Sequence, residues 1–337
     1  AAAKALRDGK TKYAPSDGVL DLRAAIAEKL ASENKLSYKI EQILVSNGAK
    51  HSLFNIFMAL CREGDEVLIP GPFWLSYPEM VRVAGGRPVM VRGSEAHGLK
   101  VTPGQLEAAI TPRSKALIIN SPSNPTGMVY TREELRALAE VAVRHNLYIV
   151  SDEIYERMVY DGVEAVSVGS LSPEIFKRTI TVNGFSKPYA MTGWRLGYYA
   201  GPSEIVKAGS ALQSHSTSAP NTFAQYGAIA ALRGPQDCVT KMVVAFDERR
   251  RYLHKRLIDM RGVTCVRPAG AFYVFPNISA FGLKSIAFSE RLLDAEKVAV
   301  VPGMPFGADE NIRLSYACSM ANIEEGMTRL ERFLATL

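Results

Sequence analysis

The chain has 337 residues, 47% of them hydrophobic and 22% charged, a balance that suits a globular protein with enough apolar material for a large core. Forty basic and thirty-four acidic side chains give a net charge of +6, scattered except at residues 249–256, a run that reads as a solvated helix face or a domain contact and not as a nucleic-acid-binding surface. No apolar run is long enough to span a bilayer and residues 1–10 lack the apolar core of a signal peptide, so a cytoplasmic protein without membrane or nucleic-acid partners is expected.

In chain order, Leu22, Ile26 and Leu30 recur at helical spacing, so Ser32-Glu-Asn-Lys35 belongs to an amphipathic helix. It matches the Ser-x-x-Lys pattern of penicillin-recognising enzymes by chance, since no Lys-Thr-Gly follows. Residues 42–46 read as a strand, and after Gly48 the apolar positions Leu53, Ile56, Phe57 and Leu60 predict a helix. Further strands are expected at 66–69, 89–91 and 116–119. The last of these runs into Asn120-Ser-Pro-Ser-Asn-Pro-Thr-Gly127, whose prolines and glycine require a loop. Thr131-Arg-Glu-Glu134 has the form of a capping box ahead of a helix that carries Leu135, Leu138 and Ala142 on one face. Residues 148–150 and 179–182 complete the β-rich runs. This alternation predicts an α/β fold: a mostly parallel central sheet flanked by helices.

From Asp237 to about Met260 the sequence suits one long helix, with strands expected beyond it at 271–275 and 298–301. The change of rhythm suggests a large domain over residues 1–240 and a smaller α+β C-terminal domain over 241–337, joined by that helix. Cys61, Cys238, Cys265 and Cys318 form no Cys-x-x-Cys pair, and the five histidines have no spacing that brings two to one metal. Neither a disulfide framework nor a metal site is expected. Gly-x-Gly-x-x-Gly and Gly-x-Ser-x-Gly do not occur, which removes the usual dinucleotide and hydrolase readings.

In an open α/β sheet, ligands gather at the carboxyl ends of the strands. Trp74, Asn124, Asp152, Tyr155 and Lys187 all fall at or just after such ends. Each has a structural alternative: a core aromatic for Trp74 and Tyr155, a turn former for Asn124, an N-cap for Asp152, a solvated residue for Lys187. The coincidence of five is what favours a site. A lysine at a strand end suits covalent work on a carbonyl once burial or a neighbouring cation frees its lone pair. Arg195, eight residues on, offers a permanent anion anchor, and Gly48-Ala49-Lys50 opens directly into a helix whose free N–H groups favour a phosphate.

Asn124-Pro-Thr-Gly127, Ser151-Asp-Glu-Ile-Tyr155, Phe185-Ser-Lys187 through Met191-Thr-Gly-Trp-Arg195, and Arg313-Leu-Ser-Tyr316 together resemble the fold-type I aminotransferases, which use pyridoxal 5′-phosphate. Lys12-Tyr13-Ala-Pro, Trp74-Leu-Ser-Tyr-Pro-Glu-Met80, Gly270-Ala-Phe-Tyr273 and Val300-Val-Pro-Gly303 look most like the bacterial aspartate aminotransferases, and the similarity runs from about Tyr13 to Tyr316. The resemblance implies that Lys187 carries the cofactor and shuttles the substrate α-proton, and that Asp152 keeps the pyridine nitrogen protonated. Tyr155 and Asn124 would hydrogen-bond the ring oxygen, and Trp74 would stack on the ring. Arg195 and the backbone of Gly48, Ala49 and Lys50 would hold the phosphate, with Arg313 gripping the substrate α-carboxylate beside Asn124 and Trp74. Tyr13 would reach the phosphate of a neighbouring subunit, which makes a homodimer the expected assembly.

The resemblance also implies a segment ahead of Lys12-Tyr13-Ala-Pro. The sequence begins only a few residues upstream of Tyr13, so this N-terminal arm and its part of the small domain are expected to be missing from it. Some dicarboxylate-specific relatives bind the distal carboxylate with an arginine in the region that matches residues 213–221, and this stretch has none. An aminotransferase acting on aspartate or glutamate with 2-oxoglutarate or oxaloacetate is the expectation. Aromatic or prephenate substrates, a lyase on the same scaffold, and more remotely a cofactor-binding transcriptional regulator are the alternatives.

Overall fold

A computed structural model describes residues 1–337. Seven strands form the main sheet: β1 (Ile43–Ser46), β2 (Glu66–Gly71), β3 (Arg87–Arg92), β4 (Ser114–Asn120), β5 (Tyr148–Asp152), β6 (Thr179–Gly184) and β7 (Gly197–Ala200). Their spatial order is β1-β7-β6-β5-β4-β2-β3. Neighbours from β3 to β6 pair in parallel, while β7 runs antiparallel to both β6 and β1. Every residue of β1 and β6 is buried: β1 is apolar at Ile43, Leu44 and Val45 in succession, whereas β6 alternates Thr179, Thr181 and Asn183 with Ile180 and Val182 and buries both sets.

Successive residues of the inner strands feed opposite faces, as the two-residue period of a strand requires. Ile118 and Val150 pack with Leu53, Ile56 and Phe57 of the helix Ala49–Leu60, whereas Leu117 and Ile149 pack with Leu135, Leu138 and Ala142 of the helix Arg132–Arg144. Thr131 caps the second helix as its sequence predicts: its hydroxyl accepts from Glu134 N at 3.2 Å while Glu134 accepts from Thr131 N at 2.7 Å.

The helix Asp237–Ile258 leads to a three-stranded antiparallel sheet of β8 (Tyr273–Val274), β9 (Val301–Pro302) and β10 (Ile312–Ser315), in the order β8-β10-β9. Its apolar face is closed by the helices Ser285–Glu296 and Met320–Leu334. The chain of the second sheet is docked on the first at Gly127, whose carbonyl accepts from Ala269 N at 3.0 Å and Gly270 N at 2.8 Å. A Cβ at Gly127 would meet Pro268 at 2.5 Å, so the loop that carries Asn124 depends on a bare backbone there.

Two expected strands shorten and two unexpected ones appear. The strands expected at 271–275 and 298–301 form only at Tyr273–Val274 and Val301–Pro302, because pairing with β10 reaches no further than Leu314 and Ser315 for the first and Ile312 and Arg313 for the second. β7 and β10 are not among the strands expected from the sequence; Gly197 opens β7 because a Cβ there would lie 2.3 Å from Ala49 N. Of the two readings of the basic run at 249–256, a solvated face or a domain contact, Arg250 follows the second. Arg250 is 0% exposed, ion-paired to Asp161 and Asp247, and donates to Pro268 O at 2.7 Å.

Candidate active site

Strand direction assembles the site. β1, β2, β4, β5 and β6 point the same way, so Gly48, Trp74, Asn124, Asp152 and Lys187 converge at one edge of the sheet. Because β7 runs in reverse, its start lies at that edge and brings Arg195 with it. β10 adds Arg313 from the second sheet. The result is a cavity of about 320 Å³ lined by Ala49, Lys50, Trp74, Asn124, Asp152, Tyr155, Lys187, Arg195 and Arg313, joined by Tyr77, Asn120, Thr192 and Tyr273 among others. This volume suits a small organic ligand.

One end is an anion cradle. Gly48 has φ of 90°, a conformation that favours glycine, and a Cβ there would lie 2.5 Å from Arg195 Nη2. The guanidinium donates to Thr192 O at 2.8 Å and Asn47 O at 3.2 Å, which holds it against the first turn of the helix Ala49–Leu60. Free backbone N–H groups, the helix dipole and a fixed cation converge here.

At the floor, Asp152 is buried, accepts from Tyr77 Oη at 2.7 Å and from Ile154 N at 3.3 Å, and has its pKa pushed up to about 6 by burial, against the pull of those bonds and of Lys187. A carboxylate so placed calls for a cationic partner from a ligand. Asn120 fixes the neighbouring loop: its amide donates to Asp152 O at 2.9 Å, and its carbonyl accepts from Asn124 N at 2.8 Å. Lys187 has its pKa lowered, first by burial and then by the charges of Arg313 and Arg195, with Asp152 opposing. Its Nζ lies 5.8 Å from the Tyr155 ring and 5.2 Å from the Phe272 ring.

At the other end Arg313 donates through Nη1 to Asn124 Oδ1 at 2.9 Å, and its guanidinium carbon lies 4.5 Å from the Tyr273 ring and 5.0 Å from the Phe306 ring. Its Nε is buried and has no partner, a donor left over for an incoming carboxylate. Trp74 forms a side wall, edge-on to Tyr77 at 5.3 Å between ring centroids, with Lys50 Nζ 4.9 Å above its ring.

Nine of the eleven residues picked from the sequence line the cavity, and Gly48 abuts it through Arg195. Tyr13 does not join them: it is 96% exposed and lies in a separate groove with Ala219, Pro220 and Phe223. Sequence reasoning gave no role to Tyr77, Asn120 or Tyr273, although Tyr77 and Tyr273 stand inside stretches that carried the resemblance. An anion cradle, a buried carboxylate and an amine with a depressed pKa fit a phosphorylated aldehyde with a basic ring nitrogen, which is the chemistry of pyridoxal 5′-phosphate.

Residues 1–330 match the family model for aminotransferase class I and II. The chain is 51% identical to an aspartate aminotransferase of Geobacillus stearothermophilus, covering 99% of this chain and 86% of that protein. It is 47% identical to an aspartate/prephenate aminotransferase of Cereibacter sphaeroides, over 100% of this chain and 87% of the relative. Among solved structures it superposes on an aspartate aminotransferase from Rhizobium meliloti with a TM-score of 0.96 at 41% identity, over 99% of this chain and 86% of the other. An aromatic aminotransferase from Pyrococcus horikoshii gives 0.97 at 43%, over 99% and 91%.

Proposed function

The chain belongs to the class I and II aminotransferases, and on that premise we propose that it moves an amino group between L-aspartate or L-glutamate and a 2-oxo acid in two half-reactions at the cavity described above. The observation that carries this reading is the placement, in one cavity, of a depressed-pKa amine between a buried carboxylate and a carboxylate-binding arginine. Pyridoxal 5′-phosphate is the cofactor of this family; when bound it supplies an aldehyde that captures amines and a ring that takes up the electron pair released at the α carbon.

Arg195 and the backbone at Gly48, Ala49 and Lys50 hold the phosphate, and Trp74 limits tilt of the ring. Asp152, kept in place by Tyr77, holds a proton at the ring nitrogen. Arg313 and Asn124 fix the α-carboxylate, which orients the α-C–H bond, and Lys187 Nζ takes that proton and returns it elsewhere. With Arg195 and Arg313 so engaged, Lys50 is the cation of the cavity wall left for a second carboxylate, which favours a dicarboxylate donor. The naming of relatives for both aspartate and prephenate keeps an aromatic or prephenate partner as the second reading.

Residues 1–240 are assigned to a cofactor-binding domain and 241–337 to a smaller domain. Tyr13, exposed beside the 219–223 loop, is assigned to the site of a partner copy in a homodimer. No helix is long and apolar enough to cross a membrane, and a cytoplasmic location is part of the proposal.

The test is a single half-reaction. Cofactor-loaded protein mixed with excess L-aspartate and no oxo acid should lose its visible band completely and release one oxaloacetate per site. Conversion with aromatic amino acids but not aspartate would select the second reading, and release of product without transfer of the amino group would indicate a lyase. Lys187→Ala should keep the cofactor bound without a covalent link and lose most turnover; near-normal turnover would remove the central claim.

A further inference from the structure

Tyr273 belongs to no role yet assigned, although it meets both halves of the site. Ser315 of β10 lies opposite Tyr273 of β8, so Arg313, two residues along, is its diagonal neighbour on the same face of the small sheet. The guanidinium carbon of Arg313 accordingly sits 4.5 Å from the Tyr273 ring. The Tyr273 hydroxyl lies 2.9 Å from that of Tyr155, and neither hydroxyl has another partner in the protein. Burial holds both phenols neutral, so each brings one proton, and one bond between them uses only one of the two. The charged groups that face the pair are Arg313 from β10, Lys187 from the turn after β6, and Asp152 from β5.

We propose that Tyr273 is a positioning residue for both ends of the reaction. Its hydroxyl donates to Tyr155, which leaves the Tyr155 proton for the ring oxygen of the cofactor, and its ring face seats Arg313 for the substrate carboxylate. This rests on the cofactor assignment above. It goes further in coupling the two sites through one side chain that the sequence motifs leave without a role. A purely structural Tyr273 would pack against Phe272 and Tyr155 without steering either neighbour.

Two substitutions separate the halves. Tyr273→Phe keeps the ring and removes the donor, whereas Tyr273→Leu removes both. The protein is loaded with pyridoxal 5′-phosphate, the visible band is followed against pH, and maleate serves as a non-reacting dicarboxylate. In Tyr273→Phe the pH midpoint of the band should rise by roughly half a pH unit or more, because Tyr155 becomes a poorer donor to the deprotonated ring oxygen. Maleate affinity should stay within about twofold, since the ring under Arg313 remains. Tyr273→Leu should show the same rise and weaken maleate roughly 3- to 30-fold. An unchanged midpoint in Tyr273→Phe overturns the donor role. Loss of maleate affinity already in Tyr273→Phe, or none in Tyr273→Leu, overturns the seat for Arg313. If Tyr273→Leu fails to fold, the phenylalanine variant still decides the donor role through its midpoint, and a loss of maleate affinity in it still overturns the seat for Arg313. A wild-type protein that develops no visible band would instead defeat the cofactor assignment itself.

Discussion

Replacing Arg313 with lysine removes the carboxylate grip while keeping its charge. In the structure Nη1 is committed to Asn124 Oδ1 at 2.9 Å, Nε is buried without a partner, and the planar group lies near the rings of Tyr273 and Phe306. A lysine ammonium is a point charge that cannot offer two parallel N–H donors to a carboxylate while also bonding Asn124. The loss is at least one charge-assisted hydrogen bond, about 1.5–3 kcal/mol, or roughly 10- to 150-fold in kcat/KM. Steady-state kinetics with L-aspartate and 2-oxoglutarate should place the change mainly in KM. Absorbance titration should show cofactor affinity within about threefold of wild type, because the phosphate end of the cavity is built from Gly48 and Arg195 and not from Arg313. A KM within threefold of wild type, or parallel loss of the cofactor, would refute the division of the cavity into two anion sites.

Gly48→Ala forces a non-glycine residue to φ of 90° and drives its Cβ to 2.5 Å from Arg195 Nη2, so cofactor affinity measured by equilibrium dialysis should fall about tenfold or more. Unaltered affinity would place the phosphate elsewhere. Asp152, with its pKa raised from 3.8 to about 6 by burial, holds its proton to higher pH when folded than when unfolded. The cofactor-free protein therefore loses stability as pH rises from about 4 to 6 and carries the full cost, on the order of 3 kcal/mol, above that. Thermal melts of cofactor-free Asp152→Asn should lie above wild type at pH 8, with the gap closing toward pH 4; a lower melt at pH 8 would contradict the burial argument. Arg250→Met removes the buried partner of Asp161 and Asp247, which keep Arg267 and Arg251, and leaves Pro268 O without its donor; it should cost about 1–3 kcal/mol in urea unfolding, whereas a change below about 0.5 kcal/mol would show that the network adds little.

Some of this was written locally in the chain. β1, β2, β4, β5 and β6 stand out as short β-rich runs, the helix from Asp237 ends within a few residues of its expected limit, and Thr131 caps its helix by a motif four residues long. Lys187 and Asp152 were visible because each follows such a run, where strand ends collect chemistry. Other features depend on distant partners. β7 is four residues with an antiparallel register, and Gly197 is required by the approach of Ala49 N from a segment nearly 150 positions away, which no window of sequence reveals. Arg250 looked like its solvated neighbours because a charge run does not announce which member finds a buried counter-charge.

The sequence by itself determined the alternation of elements, the family resemblance, and the residue types able to do the chemistry, since helical and strand periods and chain punctuation act over a few residues. Only the tertiary structure decided which of them meet. Arg313 reaches Asn124 across 189 positions, Tyr273 reaches Tyr155 across 118, and Tyr77 reaches Asp152 across 75. Each of these contacts exists because sheet order and strand direction carry distant side chains to one edge, and their closeness depends on how the whole chain closes, not on any local preference.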